Sequence, residues 1–275
     1  MSAPVLNAWI EGIGVIAPGL ENWPAAAAVL RGEAAYAPAP SLLPAPLLLP
    51  PAERRRASRV VKLAIGLGLE AVEQGGADAA ALTTVFSAST GDGHNCHALC
   101  ETLASDDRQV SPTRFHNSVH NTAAGYWDIA TGAMGPTQVL CAYDAGFGAG
   151  LIEALAQLPG SDVPVLLVAY DTEYPEPLHA LRPIPDAGGI ALLLGPRPGP
   201  QALARIAVTL VEDAPAATPM ADPALEALRR DIPALRGLPL LDLLARLGQS
   251  GEAGGGSAVL DYLPPLSLGV EVTPC

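Results

Sequence analysis

The sequence predicts an α/β fold, and three observations lead to that prediction. Apolar residues make up 49% of the 275 residues and charged residues only 16%, which is typical of a chain with a large buried core. Near-continuous apolar runs such as "VPVLLVAY" and "GGIALLLG" indicate strands that are covered on both faces. Helical patterns alternate with these runs, so we expect helices on both sides of a central sheet.

The first predicted elements alternate between strand and helix. "AWIEGIGVIAPG" is predicted to be a strand that ends in a turn, and "NWPAAAAVLRGE" to be a short helix capped by Asn22. A proline-rich loop covers residues 36–52, and "RASRVVKLAIGLGLEAVEQGG" has helical periodicity up to a glycine pair. "LTTVFSAS" follows as the second strand.

The remaining elements complete the layer and add a tail. "HALCETLAS" is predicted to be a helix, and the segment from "SPTRFHN" to "DIATGAMG" begins as a loop and becomes a helix. Three further apolar strands give a five-stranded, mostly parallel layer over residues 7–195. Residues 196–275 supply a strand, a helical segment and one or two closing strands. We assign them to the same domain as residues 1–195.

Charge and composition exclude several classes of function. The formal net charge of -13 argues against general binding to nucleic acid or to an anionic membrane. No apolar run reaches the length of a membrane span, and no basic region precedes an apolar one near the start. The four cysteines are scattered, so a disulfide framework is not indicated. We expect a reduced, cytoplasmic protein without a membrane span or a cofactor.

The segment "GPTQVLCAYDAGFGAG" carries the main functional signal. A buried strand from Val139 to Ala142 is predicted to pass through a tight turn into the helix "LIEALAQL". A strand-to-helix turn of this kind often holds a nucleophile, because the helix N-terminus offers free N–H groups and the positive end of its dipole. Cys141 is close to the turn, but Asp144 is the residue on it.

Several segments, in order, resemble the N-terminal half of a β-ketoacyl synthase of the thiolase superfamily. The resemblance rests on "WIEGIGVIAPG" followed by "LRGEA", on "RRRASRVVKLAIGLGLEAVEQGG", on the run from "VSPTRFHN" to "ATGAMGP", and on "AYDT" with "GGIALLLG". It covers residues 7 to 195 and implies a thiolase-like fold, with one full ketosynthase-type half and a shortened second half. Within the superfamily, the chain looks most like chain length factor-type subunits of aryl polyene and polyketide systems.

The resemblance places Asp144 where active synthases hold their nucleophilic cysteine, counted without a gap from Gly135-Pro136. Cys141 falls three residues earlier, and we expect it to be a small buried apolar residue. Asp144 is expected to cap the following helix, where its ionised carboxylate would be a poor nucleophile. The catalytic histidine motifs of the family's second half are not found around His179. No catalytic residue is therefore expected.

These features lead to the hypothesis of a silent subunit. The chain would be inactive alone and would pair, as a heterodimer, with an active β-ketoacyl-ACP synthase in aryl polyene, polyketide or fatty acid biosynthesis. The family's dimer geometry implies that the interface and acyl tunnel involve the segment after "SPTR", which combines aromatic residues with few charges. The candidate residues are Phe115, His116, His120, Tyr126 and Trp127.

Two further clusters are open to more than one interpretation. Arg54, Arg55 and Arg56 form a basic group that would suit docking of an acidic acyl carrier protein, although a solvated helix start is the more usual explanation. His94, Cys96, His97 and Cys100 fall within "HNCHALC", but their spacing is not that of a structural zinc site, so no metal is expected. The sequence assigns these four residues no role.

Two other functions stay open at this point. One is an active acyltransferase or hydrolase that uses Cys141 as its nucleophile. The other is a stand-alone module that binds acyl groups or carrier proteins without a synthase partner. Labelling of Cys141 by an acylating probe would favour the first, and the genomic neighbourhood would separate the second from the heterodimer.

Overall fold

A single eight-stranded sheet runs through the part of the chain that the computed structural model describes, residues 4–212, 215–247 and 255–275. Its strands are β1 (Val5–Ile16), β2 (Thr83–Ala88), β3 (Thr137–Cys141), β4 (Val165–Asp171), β5 (Gly188–Gly195), β6 (Ala204–Glu212), β7 (Gly256–Asp261) and β8 (Leu266–Pro274). The helices are α1 (Trp23–Leu30), α2 (Pro51–Arg56), α3 (Arg59–Gly75), α4 (Gly93–Ala104), α5 (Pro112–His116), α6 (Thr122–Thr131), α7 (Gly146–Ala156), α8 (Leu178–Leu181), α9 (Pro223–Asp231) and α10 (Leu238–Arg246).

The strand order is β3-β2-β4-β5-β1-β6-β8-β7. Strand β2 pairs in parallel with β3 and β4, while the pairs β4–β5, β5–β1, β1–β6, β6–β8 and β8–β7 are antiparallel. The α/β fold is confirmed. In the predicted five-stranded layer, β1, β2, β3 and β4 run in the same direction and β5 runs against them, so its pairs with β4 and β1 are antiparallel. Continuous apolar strands report only that both faces are covered, and here an antiparallel strand, β5, is buried along its whole length.

Helices cover both faces of the sheet. On one face, α3 and α6 pack on the strands through a cluster that includes Leu63, Leu67, Phe86 and Trp127. The other face is covered by α1, α7, α9 and α10. The approach of α3 to β1 is close, because a Cβ at Gly14 would lie 2.1 Å from the carbonyl oxygen of Leu67. A glycine in β1 is therefore required for this packing.

The tail extends the sheet from the far side of β1. Strand β6 pairs with β1 along Val5 to Ile10, and β8 and β7 follow outward. The helices α9 and α10 return to cover the same face as α7. The assignment of residues 196–275 to the same domain as residues 1–195 stays a prediction, and the continuity of the sheet from β1 to β6 is in keeping with it.

Helix α7 is enclosed by the sheet on one side and by the tail on the other. A Cβ at Gly150 would lie 2.8 Å from the Ser87 side chain of β2, and one at Gly148 would lie 2.6 Å from the carbonyl oxygen of Asp261 at the end of β7. At Gly237, in a 3-10 turn of the tail, a Cβ would meet the Phe147 ring at 2.4 Å. Glycines in α7 and in the tail thus permit this close packing.

Candidate functional site at the end of β3

The site is built at the turn between β3 and α7. Residues Tyr143–Ala145 form one 3-10 turn, and α7 begins at Gly146. Tyr143 has a φ of 52°, which is uncommon for a residue with a side chain and marks the sharpness of the turn. Asp144 lies on this turn, as the sequence predicted, with its side chain 44% exposed.

The carboxylate of Asp144 is held by two arginines from distant segments. Arg182 Nη2 donates to its Oδ1 at 2.6 Å, and Arg236 Nη2 lies 3.4 Å from its Oδ2. The expectation that Asp144 caps α7 was wrong, because α7 has no side-chain cap. The intervening 3-10 turn places Asp144 before the helix start, and its carboxylate turns towards the two guanidinium groups instead.

Further charged and aromatic groups surround these two arginines. The Arg182 guanidinium lies over the Tyr143 ring at 3.6 Å, in a cation–π contact. Arg236 also approaches Asp261 at 3.9 Å, and Asp261 accepts a hydrogen bond of 2.6 Å from Arg229. The turn, the segment after α8 and the tail therefore meet in one ionic network. Its arginine members were missed from the sequence, because no local pattern around Arg182 or Arg236 predicts a partner so far along the chain.

Cys141 does not lie in the core. It is exposed, at the end of an edge strand. The expectation of a buried residue was wrong because strand order, which decides whether a strand lies at an edge, is not encoded in its apolar run. Partial burial of the thiol, together with the charge of Asp171, raises its pKa above the usual value. Less of the reactive thiolate is present at neutral pH as a result.

Asp171, at the end of β4, is a buried carboxylate that the sequence did not single out. Its Oδ1 accepts hydrogen bonds from Ser89 N (2.8 Å) and Ser89 Oγ (2.5 Å), and its Oδ2 accepts one from Ala234 N (2.9 Å). Burial raises its pKa to about 6, against the opposing effect of these hydrogen bonds and of the Arg182 charge. The sequence feature that could have indicated this residue is a carboxylate at the end of the apolar run "VPVLLVAYD".

The five predicted interface residues divide into two groups. Phe115, His116 and His120 are exposed, Phe115 to 70%. Tyr126 and Trp127 are buried, so the expectation of an exposed aromatic cluster was wrong for these two. The Trp127 ring fills the space above Gly68 of α3, where a Cβ would lie 2.6 Å from it. Adjacent aromatic residues on a helix do not reveal which face is buried, and here both point towards α3 and its neighbours.

Other apolar side chains are exposed around α6 and β3. Ile129 on the outer side of α6 is 49% exposed, and Met134 in the connection to β3 is 95% exposed. Val119 and Tyr143 are exposed to 51% and 58%. Together with Phe115, these residues form the outer apolar surface, a name we keep below. Exposed apolar groups mark an interaction surface where they are contiguous, which makes these residues candidates for one.

The arginine cluster contributes to a cavity of about 520 Å³. Arg55 and Arg56 line it, whereas Arg54 donates to the carbonyl oxygens of Leu47 and Leu49 and so holds the preceding loop. Further basic lining residues are Arg59, His94 and Arg114. Asp92 and Glu173 line the same cavity, and Arg59 is paired with Glu173, so the basic groups are partly balanced by carboxylates.

The histidines and cysteines of α4 are dispersed along the helix. His94 Nε2 lies 3.7 Å from Glu173, and His97 Nε2 lies 3.2 Å from Glu101 one turn further along. Cys96 and Cys100 are exposed thiols. Within the described residues, no group of three or more histidine, cysteine, aspartate or glutamate side chains is arranged to hold a metal ion.

Comparison with known proteins identifies the family. The family model described as "Beta-ketoacyl synthase, N-terminal domain" matches residues 22–230, which is more than half of the chain. The chain belongs to this β-ketoacyl synthase family. No curated protein matches it by sequence. Among the described residues, no helix is both long enough and apolar enough to cross a membrane.

Solved structures of ketosynthase systems share the fold. The ketosynthase ApeO in complex with its chain length factor ApeC from Xenorhabdus doucetiae matches with a TM-score of 0.70 and 22% identity, over 98% of this chain and 99% of that chain. The ishigamide ketosynthase/chain length factor matches with a TM-score of 0.71 and 15% identity, over 98% and 99%. The AntDE:AntF complex, a type II PKS acyl-carrier protein with its ketosynthase bound to the hexaketide, gives 0.75 and 10%, over 99% and 100%. The thiolase-like ketosynthase fold predicted from the sequence is confirmed.

Proposed function

We propose that this chain is a catalytically silent, chain length factor-type subunit that pairs with an active β-ketoacyl-ACP synthase. The observation that carries the proposal is the ion pairing of Asp144 with Arg182 and Arg236 at the turn where this family holds its nucleophile. Relatives of the same fold include ketosynthases in complex with chain length factors. The proposed setting is aryl polyene, polyketide or fatty acid biosynthesis.

The chemistry of the turn supports catalytic silence. Condensation requires a nucleophile that accepts an acyl group as a stable thioester, together with donors for the enolate and the oxyanion. A carboxylate would form a reactive anhydride instead, and the Asp144 carboxylate is engaged in ion pairs with two guanidinium groups. Cys141 lies before the turn with a raised pKa, which lowers its reactivity.

The edge of the sheet supports pairing. Strand β3 is the last strand on its side, and two members of the outer apolar surface, Met134 and Tyr143, flank it in the sequence. An edge strand with free backbone groups, bordered by exposed apolar side chains, is a ready surface for another chain. The proposed partner is the active ketosynthase, and β3 with the outer apolar surface is the proposed contact.

Under this proposal, Tyr126 and Trp127 support helix α6 and do not contact the partner directly. Both are buried between α6 and the rest of the chain, so their role would be to hold α6 in place beneath the contact. Truncation of either residue would leave a large cavity and destabilise the chain itself. Phe115, His116 and His120 remain candidates for direct contact with the partner and its acyl tunnel.

The cavity lined by Arg55 and Arg56 supports the second proposed partner, an acyl carrier protein. Five basic side chains line this cavity together with two carboxylates, Asp92 and Glu173, and with hydroxyl groups such as that of Ser111. Acidic carrier proteins and the phosphate of their prosthetic arm are complementary to such a group of arginines. Arg54 is a weaker candidate, because both carbonyl groups that it holds belong to its own loop.

The test of silence compares the protein alone and with a partner synthase. The isolated chain should not condense malonyl and acyl carriers, and the co-purified pair should. Asp144→Cys should not make the isolated chain a synthase, because Arg182 and Arg236 remain beside the new thiol instead of basic histidines. Condensation by the isolated chain that is lost in Cys141→Ala would overturn the proposal in favour of a Cys141 enzyme. Failure to pair with any neighbouring synthase would favour a stand-alone module.

A further inference from the structure

Two exposed cysteines lie one turn apart on helix α4. Cys96 and Cys100 are four positions apart in this helix, and both are free thiols with exposed side chains. Residues at this spacing project from the same face of a helix, with their Cβ atoms about 5–6 Å apart. The helix lies at the surface, since Gly93 is the one buried residue among its twelve. The two thiols are therefore neighbours that an ion can reach from solvent.

The two thiol groups also influence each other. Partial burial, and then the neighbouring Cys100 thiol, raise the pKa of Cys96 above its usual value, and the carboxylate of Asp92 adds to the effect. Cys96 is therefore a protonated thiol at neutral pH. A cation that binds to its sulfur has to displace this proton.

The helical spacing does not favour a disulfide between these cysteines. A disulfide brings its two Cβ atoms to about 3.5–4.5 Å, which is closer than an undistorted helix allows at this spacing. Closing the bond would bend α4 and weaken its backbone hydrogen bonds. An atom placed between the two sulfurs removes the mismatch, because the bridge then contains one more atom and one more bond.

The donor atoms determine which ion fits. Thiolates are soft ligands that select Cu(I), Zn(II) or iron–sulfur clusters. Structural zinc sites and iron–sulfur clusters take four protein ligands, whereas this face of α4 offers two sulfurs. The imidazole of His97, which lies between the cysteines in the sequence, is turned to Glu101, with its Nε2 3.2 Å from the carboxylate. Cu(I) fits best, since it forms stable complexes with two thiolates in a nearly linear arrangement.

We propose that Cys96 and Cys100 form a two-thiolate site for one soft monovalent metal ion, Cu(I). Two copper–sulfur bonds form and two S–H bonds break, so one Cu⁺ ion and two neutral thiols give a complex with a single negative charge and release two protons to solvent. No electron is transferred, because the ion binds in its reduced form. The inference goes beyond the proposed pairing and does not depend on it.

The experiment measures Cu(I) binding to the isolated full chain, without oxygen and with all thiols reduced, in competition with the coloured chelator bicinchoninate. The wild type should take one equivalent of the ion from the chelator. Cys96→Ser and Cys100→Ser should each weaken this binding about 100-fold or more. The reason is that the remaining thiolate loses a second ligand that the helix holds at high effective concentration.

The matched controls are Cys141→Ser and Cys275→Ser, which remove the other two exposed thiols of the chain. Both should bind Cu(I) with the affinity of the wild type. A further control, Ala98→Cys combined with Cys100→Ser, keeps the number of thiols but places the pair two positions apart, where side chains do not face each other. It should bind as weakly as Cys100→Ser alone.

Circular dichroism checks that all variants are folded, and sedimentation with and without Cu(I) checks that a single chain holds the ion. Four results would each overturn the inference: copper that stays with the chelator, full affinity in folded Cys96→Ser or Cys100→Ser, full affinity in the displaced pair, and a dimer bridged by copper. Equal losses in the Cys141 and Cys275 controls would overturn it as well. Pairing with a synthase is measured in separate mixtures, so failure of one proposal is distinguishable from failure of the other.

Discussion

The two edge strands of the sheet, β7 and β3, differ in whether another segment of the chain hydrogen-bonds to their outer backbone groups. At the β7 edge, Thr218 N donates to the carbonyl oxygen of Val259 at 2.8 Å, and Val259 N donates to Thr218 Oγ1 at 2.9 Å. The chain thus supplies its own cover for the backbone groups in the middle of this edge. At the β3 edge, no such strap is present among the described residues, and Gln138 and Cys141 are exposed.

The hydrogen bonds between β3 and β2 show which backbone groups of β3 have no partner in β2. Thr84 N donates to the Pro136 carbonyl, and Ala142 N donates to the Ala88 carbonyl. By the alternation of a parallel ladder, the backbone groups of Val139 face away from β2. An uncovered edge favours association with another strand, whereas a covered one prevents it. The difference supports the β3 edge as the contact in the proposed pairing.

The largest effect is expected from blocking the β3 edge. Val139→Pro removes the outward N–H while leaving the bonds between Pro136, Ala142 and β2 in place. We expect affinity for the partner synthase to fall about 30-fold or more, the cost of losing a central contact of an interface. Sedimentation of the mixed proteins measures this, and circular dichroism confirms that the variant is folded.

A companion pair of variants sharpens this prediction. Ile129→Asp places a charge on the outer apolar surface and should also weaken pairing, whereas Leu210→Asp, at a partly exposed position on β6, should not. Full-strength pairing by folded Val139→Pro and Ile129→Asp proteins would place the interface elsewhere.

The next effect concerns Asp171, which joins β4 and the segment after β2 to the tail that carries β7. Its folded-state pKa of about 6 lies above the ordinary value of 3.8, so the folded state binds the proton more tightly than the unfolded state. The free energy of unfolding should therefore fall as the pH rises through this window, by about 2 kcal/mol between about pH 4.5 and pH 7. Asp171→Asn should lack this contribution.

Urea unfolding of both proteins at several pH values provides the measurement. The stability advantage of the wild type over Asp171→Asn should shrink by that amount as the pH rises. Arg182 keeps its charge throughout this range, and the raised pKa values of Cys141 and Tyr170 keep both of these groups neutral. A stability difference that does not change with pH would show that Asp171 is ionised with an ordinary pKa.

A smaller effect is expected at the end of β3 itself. Asp144→Ala leaves Arg182 and Arg236, whose side chains are only 16% and 20% exposed, without their shared carboxylate. We expect a loss of about 1 kcal/mol in the free energy of unfolding. The control is Asp162→Ala, since Asp162 is 84% exposed and pairs with an exposed arginine, and its loss should be close to zero. Equal effects of the two substitutions would argue against a structural role for the Asp144 network.

The smallest effect is expected at the covered edge. Thr218→Val keeps the shape of the side chain but removes the acceptor for Val259 N. Loss of one partly buried hydrogen bond should lower stability by about 0.5–1 kcal/mol, without a change in pairing. Thermal unfolding with a parallel sedimentation run tests both parts. A variant that begins to self-associate would show that Thr218 also acts as a barrier against edge-to-edge contact.

Local patterns predicted local features of the molecule well. The position of Asp144 on a strand-to-helix turn follows from an apolar run, a glycine-rich stretch and a helical pattern, all within residues 139–158. The burial of Tyr126 and Trp127 and the exposure of Cys141 were not predicted, because each depends on which neighbour packs against the element. The same limit applies to Arg182 and Arg236, whose shared partner is set by the path of the whole chain.

The enclosure of α7 has a consequence for how the protein is made. The helix leaves the ribosome before Gly237, Asp261 and Leu268, which close over its second face. Until Gly237 has been synthesised, Phe147 lacks its cover in the nascent chain, and Gly148 lacks its own until Leu268 follows. Such an interval exposes apolar surface to chaperones and to aggregation. This order of assembly follows from the close packing at glycines and not from the chemistry of the turn. A substitution at position 144 would therefore leave the order of assembly unchanged.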